Sequence, residues 1–406
     1  MTAWHPPERT PAAAQIYAAA EADRAARPGA YTLDPEMVIA KALRGADTVH
    51  LPDSGGWREG LERYVESARV DGRLNALGTR MVRDSAVSAL RTRLAMDQVA
   101  GADAHVDPPP IFITGGWRTG TTFLFRLLAT DPRLRAPLSA ELSVPWKFAG
   151  ASPDRRRELI DGSAKAFALL DKLNPALAGV HDYGPYLPEE CVVGLGSAFR
   201  NWGYSATVRL DGYTRWLAGQ DLTGTYLSYR HTLNTLDGAD GRRWLLKAPA
   251  HTAELSSLAA AFPGACVVFL HRDIVQTVAS GASLFCVFRS TYSDEVDPAD
   301  VGRFQAGQTE LWSRRAHAFR RSPQAADLTI IDVRYEDLVH ATGDVLDRVY
   351  MGAGLAPPDL DAMINAYHAA HPPDQREPHR YTPEEFGLDA TSLRNRLTPW
   401  TTPPRP

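Results

Sequence analysis

The sequence predicts an α/β protein: a parallel sheet flanked by helices, preceded by a helical N-terminal region and interrupted by a helical insertion. Three observations predict it. After the prolines at 108–110, short continuous apolar runs alternate with helical segments, the pattern of parallel strands covered on both faces. The first of those runs, Ile111-Phe112-Ile113, leads directly into the glycine-rich turn GGWRTGTT, residues 115–122. A strand, such a turn and a helix in succession make the sheet P-loop-type. Before the prolines the apolar residues recur at helical spacing, and no strand signal precedes residue 106.

The elements follow in order. AAAQIYAAAEADRAA is alanine-rich, and LDPEMVIAKALRGA opens on an Asp-Pro helix start with Asp34 as N-cap. WREGLERYVESARVDGRL and the stretch from Thr79 to Gln98 complete a helical region over residues 1–105. GADAHVDPPP breaks that pattern and reads as a linker. PPIFITGG is then the first strand and TTFLFRLLATD its helix; RRWLLKAP and HTAELSSLAAAF are the second pair. ACVVFLHRD with IVQTVASGASLF is the third, and LTIIDVRYEDL the fourth strand, again followed by helix. Residues 150–237 read as mostly helical and interrupt the alternation inside the 106–406 core, a position that suits a lid or an acceptor-binding insertion.

Composition sets the frame. The chain has 406 residues, 44% hydrophobic and 23% charged, as in an ordinary globular protein. Its net charge is −4, from 44 basic and 48 acidic residues with no basic block, so general attraction to nucleic acid or anionic membrane is weak and no nucleic-acid partner is expected. Any bound anion must be met by a few placed residues. No apolar run approaches the roughly 18 residues of a membrane span, so no integral membrane segment is expected. The N-terminus lacks the pattern of a signal peptide. Three cysteines, Cys191, Cys266 and Cys286, suit a reducing compartment, and a cytoplasmic enzyme is the expectation.

The site chemistry begins at the turn. Gly115 and Gly120 carry the spacing of G-x-x-x-x-G-K-[ST], yet Thr121 stands where the lysine belongs and Arg118 lies three places earlier. In nucleoside triphosphatases that lysine reaches the β- and γ-phosphates. Its loss argues against the rival of the same fold, a small-molecule or nucleoside kinase. Free N–H groups at the helix start still offer an anion cradle. After the third strand, Arg272 and, eight residues on, Ser280 form a second anion site. Two separated anion sites fit a nucleotide bisphosphate.

On these residues the chain resembles the sulfotransferases that use 3′-phosphoadenosine-5′-phosphosulfate, in particular a bacterial branch with a helical N-terminal region. GGWRTGTTFLFRLL resembles their 5′-phosphosulfate loop and HRDIVQTVAS their 3′-phosphate motif. The resemblance implies that Arg118, Thr119, Gly120, Thr121 and Thr122 hold the phosphosulfate, with Phe123 near the adenine. Arg272 and Ser280 would clamp the 3′-phosphate and Tyr335 edge the nucleotide. Lys247, ending the second strand, would stabilise the departing bisphosphate. HRYTPEEFGLD resembles the tail of the bacterial branch, so His379 and Arg380 would approach the 3′-phosphate, while Thr382 and Glu385 form a capping box. No metal is expected, because a sulfuryl group carries a single negative charge.

The resemblance leaves two bases for the acceptor open: Glu141, 23 residues after Arg118, is similar to the glutamate some branches use, and His251, four past Lys247, to the histidine that another branch has just after the lysine. Glu141 is favoured. Glu189 and Glu190, read at a helix start after Pro188, and His181 upstream are the acceptor-contact expectations. The acceptor would be a hydroxyl, with an amine as second choice, on a small molecule, lipid or sugar. A catalytically silent nucleotide-binding protein is the rival from another class. The sequence sets no oligomeric state.

Overall fold

The computed structural model describes residues 4–45, 54–101, 104–237, 241–370 and 381–401. Its sheet has five strands: β1 Ile111–Gly115, β2 Leu134–Arg135, β3 Arg243–Lys247, β4 Cys266–His271 and β5 Thr329–Arg334. Every pairing is parallel, in the order β2-β3-β1-β4-β5. The four predicted strands are present. The fifth, β2, escaped prediction because two residues carry no period and no apolar run.

Strand alternation divides the core. Phe112, Leu246 and Val267 pack on one face with Trp57, Leu61, Val82 and Leu90, so the N-terminal helices share a single hydrophobic cluster with the sheet. Ile111, Ile113, Leu245 and Val268 face the other way onto Leu124, Leu128, Leu346 and Val349. Both sides of β1 and β3 are therefore sealed, and every residue of these two strands is buried, as parallel sheets require. The expected helices appear as Pro11–Ala26, Pro35–Ala42, Trp57–Val70 and Ala76–Met96. Asp34 caps the second, its Oδ1 accepting from Met37 N at 2.9 Å.

The chain leaves β1 toward β2 on one side and leaves β4 toward β5 on the other. Where neighbouring strands diverge in this way, their carboxyl ends open a crevice. β1 and β4 run side by side with Gly115 opposite Leu270. The glycine-rich turn and the Arg272 turn thus emerge as neighbours at one end of the sheet.

The insertion is helical at Pro153–Leu173, Leu177–Val180, Tyr204–Thr207, Asp211–Leu217 and Thr223–Leu236. Residues 181–193 carry no helix. The expected helix start at Glu189 and Glu190 is corrected accordingly: Pro188 pairs with Leu138 in an antiparallel bridge. Cys191 N donates to Lys247 O at 2.9 Å and Glu189 N to Pro137 O at 2.8 Å. Main-chain pairing to the ends of the sheet, rather than a helix dipole, sets the position of the two carboxylates.

Candidate active site

The turn after β1 is shaped by backbone constraints. Gly115 has φ 146°, and a Cβ there would stand 2.5 Å from Leu270 O of β4, so only glycine lets the strands part at this point. Arg118 holds φ 57°, a sparsely populated conformation that marks a functional turn. Gly120, at φ 91°, begins the helix Thr121–Leu128, which has no side-chain cap. Its first N–H groups are consequently available to an anion. Thr119 Oγ1 donates back to Gly116 O at 2.8 Å, so this hydroxyl braces the turn and is not offered to a ligand.

Arg272 closes the turn from the β4 side. Its Nη1 donates to Arg118 O at 2.6 Å, and its guanidinium lies 3.9 Å from the Tyr335 ring centroid. Ser280, buried on the helix Ile274–Tyr292, looks into the same space. Phe123 meets His368 with ring centroids 6.1 Å apart at 26° and Tyr367 edge-on at 5.5 Å. This aromatic group is of a size to take a flat base. The helix Leu360–Ala370 brings His368, a residue the sequence did not single out because the helix reaches the site only through the fold.

A cavity of about 1190 Å³ joins these parts. At one end it is lined by Arg118, Gly120, Thr121, Thr122, Phe123, Arg272, Ser280 and Tyr335. At the other it is lined by His181, Glu189 and Glu190 together with Leu170, Leu177, Val192, Leu284, Phe285, Phe288, Trp202 and Trp312. Tyr381 reaches the cavity as well; His379 and Arg380 lie outside the described residues. Thr382 N donates to Glu385 Oε2 at 2.8 Å, one half of the expected capping box.

Lys247 stands behind the wall, bonded to the lining residues Thr122 and Glu190 and not itself part of the lining. Only 2% exposed, its Nζ pairs with the Glu190 carboxylate and donates to Thr122 Oγ1 at 3.3 Å. Glu189 accepts from Glu190 N at 2.8 Å, and burial raises its pKa from the ordinary carboxylate range. Burial lowers the pKa of His181, so its imidazole is neutral at pH 7.

Both expected bases are placed elsewhere. Glu141 is buried and accepts from Arg135 Nη2 at 3.0 Å, Arg156 Nη2 at 2.8 Å and Leu138 N at 3.0 Å. It caps the helix Ser139–Ser143 and neutralises two arginines, and it does not line the cavity. His251 is fully buried, with Nδ1 2.7 Å from Tyr226 Oη and its ring edge-on to Phe112 at 5.1 Å. Burial pushes its pKa down to about 3. It too lies off the cavity lining, behind Pro249 and Ala250.

Residues 109–359 match the model of the sulfotransferase family, more than half of the chain. The chain belongs to the sulfotransferase family. Omega-hydroxy-beta-dihydromenaquinone-9 sulfotransferases of Mycobacterium bovis and Mycobacterium tuberculosis are 25% identical to it over 268 residues. That match spans 63% of this chain and 65% of the length of those relatives. Among solved structures, sulfotransferase STF1 of Mycobacterium tuberculosis superposes with a TM-score of 0.75 at 26% identity, covering 90% of this chain and 98% of that one. Sulfotransferase STF9 of Mycobacterium avium superposes at 0.77 and 24% identity, covering 91% and 96%. The STF9 likeness is one of fold. Coverage of nine-tenths in both means that the likeness of fold extends beyond residues 109–359 of this member of the sulfotransferase family.

Proposed function

We propose that the protein transfers a sulfuryl group from 3′-phosphoadenosine-5′-phosphosulfate to a hydroxyl carried on an apolar acceptor. One observation carries this reading: a single cavity unites a glycine-rich anion turn with a second arginine-and-serine anion site, and a buried lysine is bonded to Thr122 and Glu190 of its wall. Arg118 and the uncapped N–H groups of the helix Thr121–Leu128 would hold the phosphosulfate, with Thr121 and Thr122 beside them. Arg272 and Ser280 would hold the 3′-phosphate, and Phe123, His368 and Tyr335 would border the base. Lys247, which donates to Thr122 at the start of the helix Thr121–Leu128, would meet the charge gathering on the departing bisphosphate and stabilise it. Transfer moves the acceptor's O–H proton to a base while the acceptor oxygen bonds to sulfur and the old sulfur–oxygen bond breaks.

The acceptor end supports an apolar partner. Leucines, phenylalanines and tryptophans there stand beside polar His181, Asp182, Tyr183, Glu189 and Glu190, which fits an apolar acceptor body with the reacting hydroxyl at the polar group. The mycobacterial relatives named for a menaquinone derivative support the same class.

Calorimetry with adenosine 3′,5′-bisphosphate tests the donor site. Arg118→Ala and Arg272→Ala should each weaken binding by roughly tenfold or more, the worth of a charge-assisted hydrogen bond. Unchanged affinity in both variants would overturn the donor assignment. A transfer assay with labelled donor should favour long-chain or aromatic alcohols over sugars.

A further inference from the structure

We propose that Glu190 is the base that takes the acceptor's proton, and that donor binding frees it by drawing Lys247 away. The inference rests on the sulfuryl-transfer reading above.

The geometry puts Lys247 between two competing partners. Its Nζ pairs with the Glu190 carboxylate on the acceptor side and meets Thr122 Oγ1 at 3.3 Å on the donor side. Thr122 belongs to the first turn of the helix that follows the glycine-rich turn. An anion seated on that helix start lies on the Thr122 side of the lysine. Attraction between buried charges is strong and falls with distance, so a multiply charged anion there competes with one carboxylate for the same ammonium group. The backbone does not let Glu190 follow: Cys191 N is bonded to Lys247 O at 2.9 Å and Glu189 N to Pro137 O at 2.8 Å. The lysine, on four rotatable carbons, can swing. The carboxylate is held at the cavity wall.

The consequence is an ordered activation. While Lys247 stays on Glu190, the carboxylate is occupied by the ammonium group and is not free to meet the acceptor's O–H. Once Lys247 moves to the phosphosulfate side, Glu190 faces the cavity without its counter-ion. The acceptor oxygen then bonds to sulfur, and the sulfur–oxygen bond to the 5′-phosphate breaks. That bond's electron pair leaves on the phosphate, where Lys247 now meets it, and the acceptor's proton passes to Glu190. Base and leaving-group stabiliser become available together, and only with donor in place.

Calorimetry and turnover test this. Adenosine 3′,5′-bisphosphate should bind Glu190→Gln roughly tenfold more tightly than wild type, since no carboxylate holds Lys247 back, while turnover falls by about 100-fold or more. Glu190→Asp, which keeps a carboxylate on the same backbone position, should retain more turnover than Glu190→Gln. Glu189, His181, Cys191 and Lys247 are the titratable groups that share its field, which makes the variant comparison the assignment. Equal turnover in Glu190→Asp and Glu190→Gln overturns the proposal. So does a Glu190→Gln protein that binds no more tightly, or a His181→Ala protein that loses turnover where Glu190→Gln keeps it; each leaves the sulfotransferase reading standing. No binding of the bisphosphate by wild type would overturn both.

Discussion

At the residue scale, the contrast between Glu141 and Glu190 shows what a carboxylate's neighbours make of it. Both are carboxylates near the carboxyl ends of the sheet. Glu141 accepts from two guanidinium groups and a main-chain N–H, which fills its lone pairs with structural partners. Glu190 has one ammonium partner, Lys247, and lines the cavity. Glu141→Gln should therefore cost about 2 kcal/mol of stability, because Arg135 is left in a buried site without its counter-charge. Turnover below the melting transition should stay within about threefold of wild type. Urea unfolding and an activity assay on the same preparation check this; a 100-fold loss of turnover at unchanged stability would restore Glu141 as the base.

At the element scale, the turn after β1 depends on the helix Ile274–Tyr292 packed beside it. A Cβ at Gly281 would stand 2.3 Å from Trp117 Cδ1 and 2.6 Å from Gln305 Oε1. Trp117 lines the cavity next to Arg118 and packs edge-on against Phe285 at 5.3 Å. Gly281→Ala should push this indole aside and cost about 1–3 kcal/mol through overpacking. Because the indole is in the same turn as Arg118, affinity for adenosine 3′,5′-bisphosphate should fall severalfold. Thermal melts together with calorimetry would show both effects; a variant that melts and binds as wild type does would detach the tryptophan from the anion site.

At the scale of the whole molecule, stability and acid are linked through His251. Its folded pKa, about 3, lies below the ordinary value of 6.5. The unfolded chain therefore binds the proton that the folded chain refuses. The contribution is fully present above pH 6.5 and is lost progressively as pH falls toward 3. From this group alone, stability at pH 5 should be about 2 kcal/mol lower than at pH 7. Urea unfolding at the two pH values, compared with His251→Phe, isolates the effect; an equal pH dependence in the variant would contradict it.

The fold was largely legible in the sequence because its signals are local. Continuous apolar runs gave four strands, the Asp34 start gave a helix, and the glycine spacing gave the turn. β2 stayed hidden because two residues at a sheet edge have no periodicity. The site was legible where chemistry is carried on one turn: Arg118 to Phe123, and Arg272 with Ser280. It was not legible where residues distant in sequence meet. The resemblance favoured Glu141 and raised His251, yet neither lines the cavity. Glu190, far from both motifs in sequence, is bonded to the end of β3 through its neighbour Cys191.

The sequence by itself determined that an anion turn follows a buried strand, that a second anion site follows another, and that the chain resembles the sulfotransferases. Hydrophobic periodicity, glycine's backbone freedom and arginine's fixed charge act within a few residues, so they can be read in line. Only the tertiary structure decided which acids and histidines face the cavity and which are spent on caps and cores. Side-chain surroundings arise from long-range packing, and a residue's chemistry is fixed by what desolvates it and what pairs with it.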